Sequence, residues 1–246
     1  MDLCYTQRPD SLAKIVCGRF NSIASGKEFA ASYRAEFLGQ ELQSNHNVAP
    51  TTLVYVLRQS EAKRVVDAMT WGLVPSWSKD KTRAASMINA RSETLVEKPS
   101  FRNLLAKHRC VIPIQGFYEW QDLPSDVGKP RKQAHYISRL DNHVMTLAGL
   151  WTIWKQPDDT LLQTCTIITT EANHKLAQVH HRMPVILERD AVETWLDETV
   201  ATPLHLLCAA PDDVVECEAT DRLARTKNSG DASTAQFGDD ASGRLF

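Results

Sequence analysis

Long apolar runs are missing from this 246-residue chain: no stretch reaches the roughly 18–20 residues of a membrane span, and the first twenty residues hold no apolar segment followed by a small-residue cleavage site. The expectation is a cytoplasmic protein with no membrane partner. Paired cysteines are missing too. None of Cys4, Cys17, Cys110, Cys165, Cys208 and Cys217 stands at Cys-x-x-Cys spacing, so the pattern of a zinc site or of a disulfide framework is absent. Reduced thiols are the default, and Cys110, Cys165 and Cys208 sit among apolar neighbours, as buried inert cysteines do. No metal and no cofactor is expected, no internal repeat is visible, and no recognition-helix or zinc-finger pattern for reading a DNA sequence is present.

Net charge is nearly absent as well, at −2, which taken alone argues against a nucleic-acid partner. Its distribution is uneven. Between Lys79 and Arg109 lie eight Lys or Arg residues against Asp80, Glu93 and Glu97, with Lys129, Arg131 and Lys132 following soon after. Such a tract suits a groove that tracks phosphates, but on charge alone a solvated basic face is the favoured reading.

What remains is an ordinary globular composition, 43% hydrophobic and 24% charged. Residues 1–16 read as a leader, 17–230 as one folded domain and 231–246, rich in Ala, Ser, Gly and Asp, as a disordered tail. Phe29, Tyr33 and Phe37 at four-residue spacing after Ser25-Gly26 predict an early helix. Short β-rich runs follow at 52–57, 65–74, 110–120, 135–140, 144–154 and 161–169. Further short helices are predicted around Phe101, Leu104 and Leu105, around Val192, Trp195 and Leu196, and from Thr202 through Cys208 with Pro203 in the first turn. Most gaps between strands are too short for crossover helices, so the class is α+β with a mostly antiparallel sheet.

Four polar motifs stand out: Cys17-Gly18-Arg19-Phe20, Asn89-Ala90-Arg91-Ser92-Glu93-Thr94, Gly116-Phe117-Tyr118-Glu119-Trp120 and His180-His181-Arg182-Met183-Pro184. Asn47 to Thr51, Trp71 to Trp77, Glu97-Lys98-Pro99, Ala148 to Trp151 and Thr169 to Asn173 accompany them in order. Together they resemble the SOS-response-associated peptidase family over roughly residues 17–230. The resemblance implies a distorted, barrel-like β core with peripheral helices and one concave DNA-binding face. It also implies covalent capture of abasic sites in single-stranded DNA by the thiol and α-amine of an N-terminal cysteine, with strand cleavage and cross-link reversal as associated activities. A monomer is expected.

By that resemblance Cys17 is the nucleophile, Glu119 shuttles protons, His180 assists opening of the sugar and Asn89 positions sugar and amine, while Arg19, Arg91 and Trp77 hold DNA. Without it, Glu119 reads as the exposed position of an alternating strand, His180 as a loop histidine beside a more important His181, and Asn89 as a turn residue. Trp71, in an apolar strand, reads as core, and Trp77, in a polar segment, as the stacking platform.

The family begins Met-Cys-Gly-Arg, whereas Val16 precedes Cys17 here. Because valine codons include a common alternative start, the chain is expected to begin at residue 16, with 1–15 an over-extended reading of the gene. Proteolytic removal of a leader, or a leader that blocks the cysteine, are the alternatives. The segment Ala219 to Gly230 keeps only a loose echo of the family's last motif, which puts its share of DNA binding in doubt. The competing functions are a thiol peptidase using Cys17, His180 and Glu119, confined to the protein's own N-terminus, and a non-catalytic single-stranded-DNA binding module.

Overall fold

The computed structural model describes residues 16–124 and 131–221. The expectations placed on residues 1–15 and 222–246, and on Lys129, lie outside the described residues. Among the described residues, eleven strands form one sheet: β1 (Arg19–Ser22), β2 (Glu36–Phe37), β3 (Leu53–Ser60), β4 (Lys63–Trp71), β5 (Asn89–Arg91), β6 (Arg109–Leu123), β7 (Arg131–Arg139), β8 (Met145–Lys155), β9 (Leu161–Glu171), β10 (Arg182–Pro184) and β11 (Val215–Ala219). Three α-helices accompany them among the described residues: α1 (Gly26–Ser32), α2 (His174–Ala177) and α3 (Arg189–Leu196).

Strands β3, β4, β9, β8 and β6 form a ring, joined along long antiparallel ladders but closed by two short seams. One seam is Leu57 and Arg58 against Val111 and Cys110; the other is Thr70 and Trp71 running parallel to Thr164 and Cys165. The core is thus a ring of strands, not a regular barrel. The pairings are antiparallel except β2 with β4, β4 with β9 and β5 with β9.

Apolar residues alternate between two cores, because each ring strand is buried on both faces. Cys110, Ile112 and Ile114 of β6 join one core with Cys17, Trp71 and Ile167, while Val111 joins the other with Phe29, Leu105 and Trp195. Strand β6 is the organiser. Its first half pairs with β8, its second half with β7, and β1 lies along it from Ile114 to Tyr118 with a register shift between Asn21 and Ser22.

Several local expectations need correction. The first helix, capped by the Ser25 side chain on Glu28 N–H, ends at Ser32, and Phe37 belongs to β2. Residues 99–107 form successive turns, not a helix: Phe101 and Leu105 are buried at helical spacing, but only scattered bonds such as His108 N–H to Leu104 O are made. The helix expected from Thr202 is a single 3₁₀ turn, Leu204–Leu206, behind a Thr202 with φ of 45°. Cys208, past that turn, is exposed, unlike Cys110 and Cys165.

Candidate active site

The register of β1 on β6 pairs Arg19 with Tyr118 and carries the preceding residues alongside Glu119. There the backbone N–H of Cys17 donates to Glu119 Oε1 at 2.5 Å. Cys17 is fully buried and its backbone is left-handed, φ 48°. On the other side of the same peptide bond, the Asn89 side-chain amide donates to the Val16 carbonyl. Asn89 reaches it from β5, which runs parallel to β9 with Asn89 opposite Ile167. Three of the sequence motifs therefore meet at the Val16–Cys17 bond.

Glu119 is 3% exposed, so the reading of it as the outward position of a strand is wrong. Burial pushes its carboxyl up to about 7, and the N–H groups of Cys17 and Trp120 pull it only partly back. The Cys17 thiol is pushed well above its ordinary range by burial, and the nearby Glu119 charge adds to that. As a peptide-linked residue, Cys17 is thus held as a neutral thiol beside a carboxyl that changes charge near neutrality. Among the described residues, no group of three His, Cys, Asp or Glu side chains is arranged to hold a metal ion.

His180 arrives by a different route. Asn173 caps α2 by accepting from Leu176 N–H, the helix lasts one turn, and His180 N–H closes onto Leu176 O at 2.9 Å. His180 is buried, whereas His181, stacked on it with ring centroids 4.4 Å apart, is exposed, so the inward histidine is the first of the pair. Gln121 Nε2, two residues beyond Glu119 on β6, donates to Gln178 O at 2.8 Å and ties this turn to the strand that carries Glu119. Asn89 lies on a strand, not in a turn.

Arg91 is exposed two residues beyond Asn89 on β5, and Arg19 Nη1 donates to Asn47 Oδ1 at 3.3 Å. Trp71 is completely buried, while Trp77 is 67% exposed. The Trp77 turn is closed by Ser78 N–H onto Pro75 O and anchored by Trp154 Nε1 donating to Ser78 O. Gly72, φ 136°, starts this loop, and a side chain there would meet Ala84 O at 2.6 Å. Of the basic tract, Lys79, Lys81, Arg83, Arg91, Lys98, Arg102 and Lys107 are exposed. Arg109 is not part of that surface. It is 4% exposed and donates to the carbonyls of Leu105, Ala106, Trp195, Asp197 and Val200.

Sequence reasoning gave no role to Glu93 or Arg182, although both lie inside the quoted motifs. Arg182 grips Glu93 with two hydrogen bonds, 2.7 and 3.0 Å, and Thr169 O at 2.7 Å. Opposite charges in two motifs were the available signal. His135, directly opposite Glu119 across β6 and β7, was missed because cross-strand neighbours are invisible without the register.

A family model described as SOS response associated peptidase (SRAP) matches residues 16–223. The chain is 36% identical over 193 residues to "Abasic site processing protein YoqW" of Bacillus subtilis (strain 168), covering 78% of this chain and 84% of that one. It is 33% identical over 182 residues to "Abasic site processing protein HMCES" of Pongo abelii, covering 63% of this chain and 51% of that one. Among solved structures, a protein from Bacteroides thetaiotaomicron superposes with a TM-score of 0.76 at 26% identity, over 87% of this chain and 97% of that one.

Proposed function

The chain belongs to the SOS response associated peptidase family, and from that premise we propose that it processes abasic sites in DNA, capturing the sugar aldehyde of a single strand as a thiazolidine on Cys17. The observation that carries this reading is the grip on one peptide bond: Glu119 on the nitrogen of Cys17 and Asn89 on the carbonyl of Val16.

In a form that begins at Cys17, the nitrogen beside Glu119 is an α-amine, a group that ordinarily titrates at roughly 7.7–8.0. As an amide, its lone pair is delocalised and cannot attack. The free amine adds to C1′ of the open deoxyribose, and loss of water gives an imine. The Cys17 sulfur then adds to the imine carbon, closing a five-membered ring, and the thiol proton passes to the nitrogen. Glu119, whose charged form the ammonium of Cys17 favours, accepts the amine proton and returns it to the departing hydroxyl. His180 assists opening of the sugar. The same steps in reverse release the cross-link, and loss of a C2′ proton at the imine stage expels the 3′ phosphate and cleaves the strand. Arg19, Arg91 and the exposed Trp77 supply phosphate and base contacts.

A second activity is favoured by the same grip. Attack of the Cys17 thiol on the Val16 carbonyl carbon breaks the Val16–Cys17 amide and leaves a thioester. Asn89 stabilises the oxyanion, protonated Glu119 supplies the proton that the departing nitrogen needs, and the proton given up by the thiol restores Glu119. Water then hydrolyses the thioester and frees the thiol beside the new amine. This peptidase chemistry is confined to the chain's own N-terminus.

Intact-mass analysis and cross-linking test both readings together. Protein beginning at Cys17 should form a heat-stable adduct with an abasic single-stranded oligonucleotide, and protein shown by mass to retain residues 1–16 should form none. Equal adduct from the two forms would refute the role of the free amine.

A further inference from the structure

The backbone N–H of Arg182 donates to Nδ1 of His180 at 3.1 Å. A nitrogen that accepts a backbone proton cannot carry one of its own, so the neutral ring holds its proton on Nε2. A second contact of Nδ1, with Arg182 O at 3.4 Å, is longer and would require a proton on Nδ1 that collides with the Arg182 N–H. Arg182 itself is buried and held by two partners. Its side chain is 9% exposed, it grips the Glu93 carboxylate with both terminal nitrogens, and it donates to Thr169 O at 2.7 Å. Burial pushes the Glu93 carboxyl up, but the hydrogen bonds and charge of Arg182, together with bonds from the Glu93 backbone and the Ser92 side chain, bring it below its ordinary value and leave it charged at neutral pH.

We propose that the Glu93–Arg182 pair is a positioning device for His180, holding it as the neutral tautomer protonated on Nε2, so that His180 enters the chemistry as a hydrogen-bond donor and not as a base. The pair joins two motifs, since Glu93 lies four residues beyond Asn89 and Arg182 two beyond His180. The tautomer stands on geometry alone; its use rests on the proposed processing of abasic sites. There the C1′ hydroxyl of the closed sugar yields its proton to Glu119 as the C1′–O4′ bond breaks. The bonding pair settles on O4′, the Nε2–H of His180 stabilises that charge, and the proton held by Glu119 is delivered to O4′. The step is neutral overall and leaves His180 unchanged.

The test pairs nitrogen NMR of ¹⁵N-histidine-labelled protein with single-turnover cross-linking, both on the form beginning at Cys17. His180 is assigned through loss of its signals in His180→Ala. In the wild type, Nδ1 should give an unprotonated and Nε2 a protonated signal. Glu93→Gln, at a half-exposed position, and Arg182→Lys, which keeps the cation but not the fork, should both mix the tautomers and slow cross-linking by roughly 10- to 10²-fold, the cost of misplacing a reacting group. A proton on Nδ1 in the wild type overturns the proposal. So does a change in tautomer without a change in rate, or a change in rate without one in tautomer. If wild-type protein makes no adduct while the tautomer depends on Glu93 as described, the positioning device stands, and the donor role falls together with the abasic-site reading.

Discussion

Cys17 N and Glu119 Oε1 lie 2.5 Å apart across 102 residues of chain, a contact made by β1 lying along β6. In the longer chain an amide faces the carboxyl, and in a chain beginning at Cys17 an ammonium faces it. The two forms should therefore titrate differently. Burial raises Glu119 to about 7 from 4.5, so the folded longer chain keeps a proton that the unfolded chain releases between those values. That contribution to stability is full below about pH 4.5 and is lost as pH rises through about 7, amounting to roughly 3 kcal/mol. Urea midpoints at pH 5 and pH 8 should show this fall in the wild type and a much smaller one in Glu119→Gln. In the form beginning at Cys17 the ammonium favours the charged carboxylate, so the fall should shrink there as well. Equal slopes for wild type and Glu119→Gln in the longer chain would show that burial does not set this carboxyl.

Replacing the thiol separates the two bonds of the adduct. Cys17→Ser and Cys17→Ala in the short form retain the α-amine, so borohydride should still trap an imine. Neither can make thiazolidine. A normal yield of heat-stable adduct from Cys17→Ala without borohydride would remove the sulfur from the proposed chemistry.

Holding DNA and reacting with it should separate as well. Trp77→Ala and Arg91→Ala should weaken binding to intact single strands, by about 1–3 kcal/mol for a lost stacking surface, and the arginine change should reduce the salt slope by about 1. Glu119→Gln and His180→Ala should bind within a few fold of wild type and cross-link about 10²–10⁴-fold more slowly. Binding titrations and single-turnover kinetics on one abasic oligonucleotide check both. Loss of binding in proportion to rate would return Glu119 and His180 to structural roles.

Arg109 makes the opposite expectation testable. Arg109→Leu removes a buried cation from five carbonyls and should destabilise the fold by roughly 3–5 kcal/mol while leaving the salt dependence of DNA binding of the folded fraction unchanged. Chemical denaturation and salt titration give the two numbers. A reduced salt slope would place Arg109 on the DNA surface after all.

The strands were legible because each ring strand is buried on both faces and so reads as an apolar run, such as Cys110 to Ile114 or Met145 to Leu150. The site motifs were legible as polar residues that recur in a known order. Partnership was not. Nothing in the periodicity of β5 announces that it runs parallel to β9, yet that pairing is what delivers Asn89 to Val16. Helical spacing misled at Phe101 and Leu105, because successive turns can bury residues four apart without continuous helical hydrogen bonds. A tally of charge misled at Arg109, since it counts sign and is blind to depth.

The left-handed backbone at Cys17 adds a torsional argument to the electrostatic one. The angle φ of a residue is defined by the carbonyl carbon that precedes it, and at Cys17 that carbon belongs to Val16. An L-residue held at 48° bears a steric cost of order 1–2 kcal/mol, because its Cβ crowds the backbone. An N-terminal residue has no φ. Severing the Val16–Cys17 bond, as proposed above, would therefore unwind the torsion as it creates the amine, so that relief of this twist would favour the proposed cleavage before any DNA arrives.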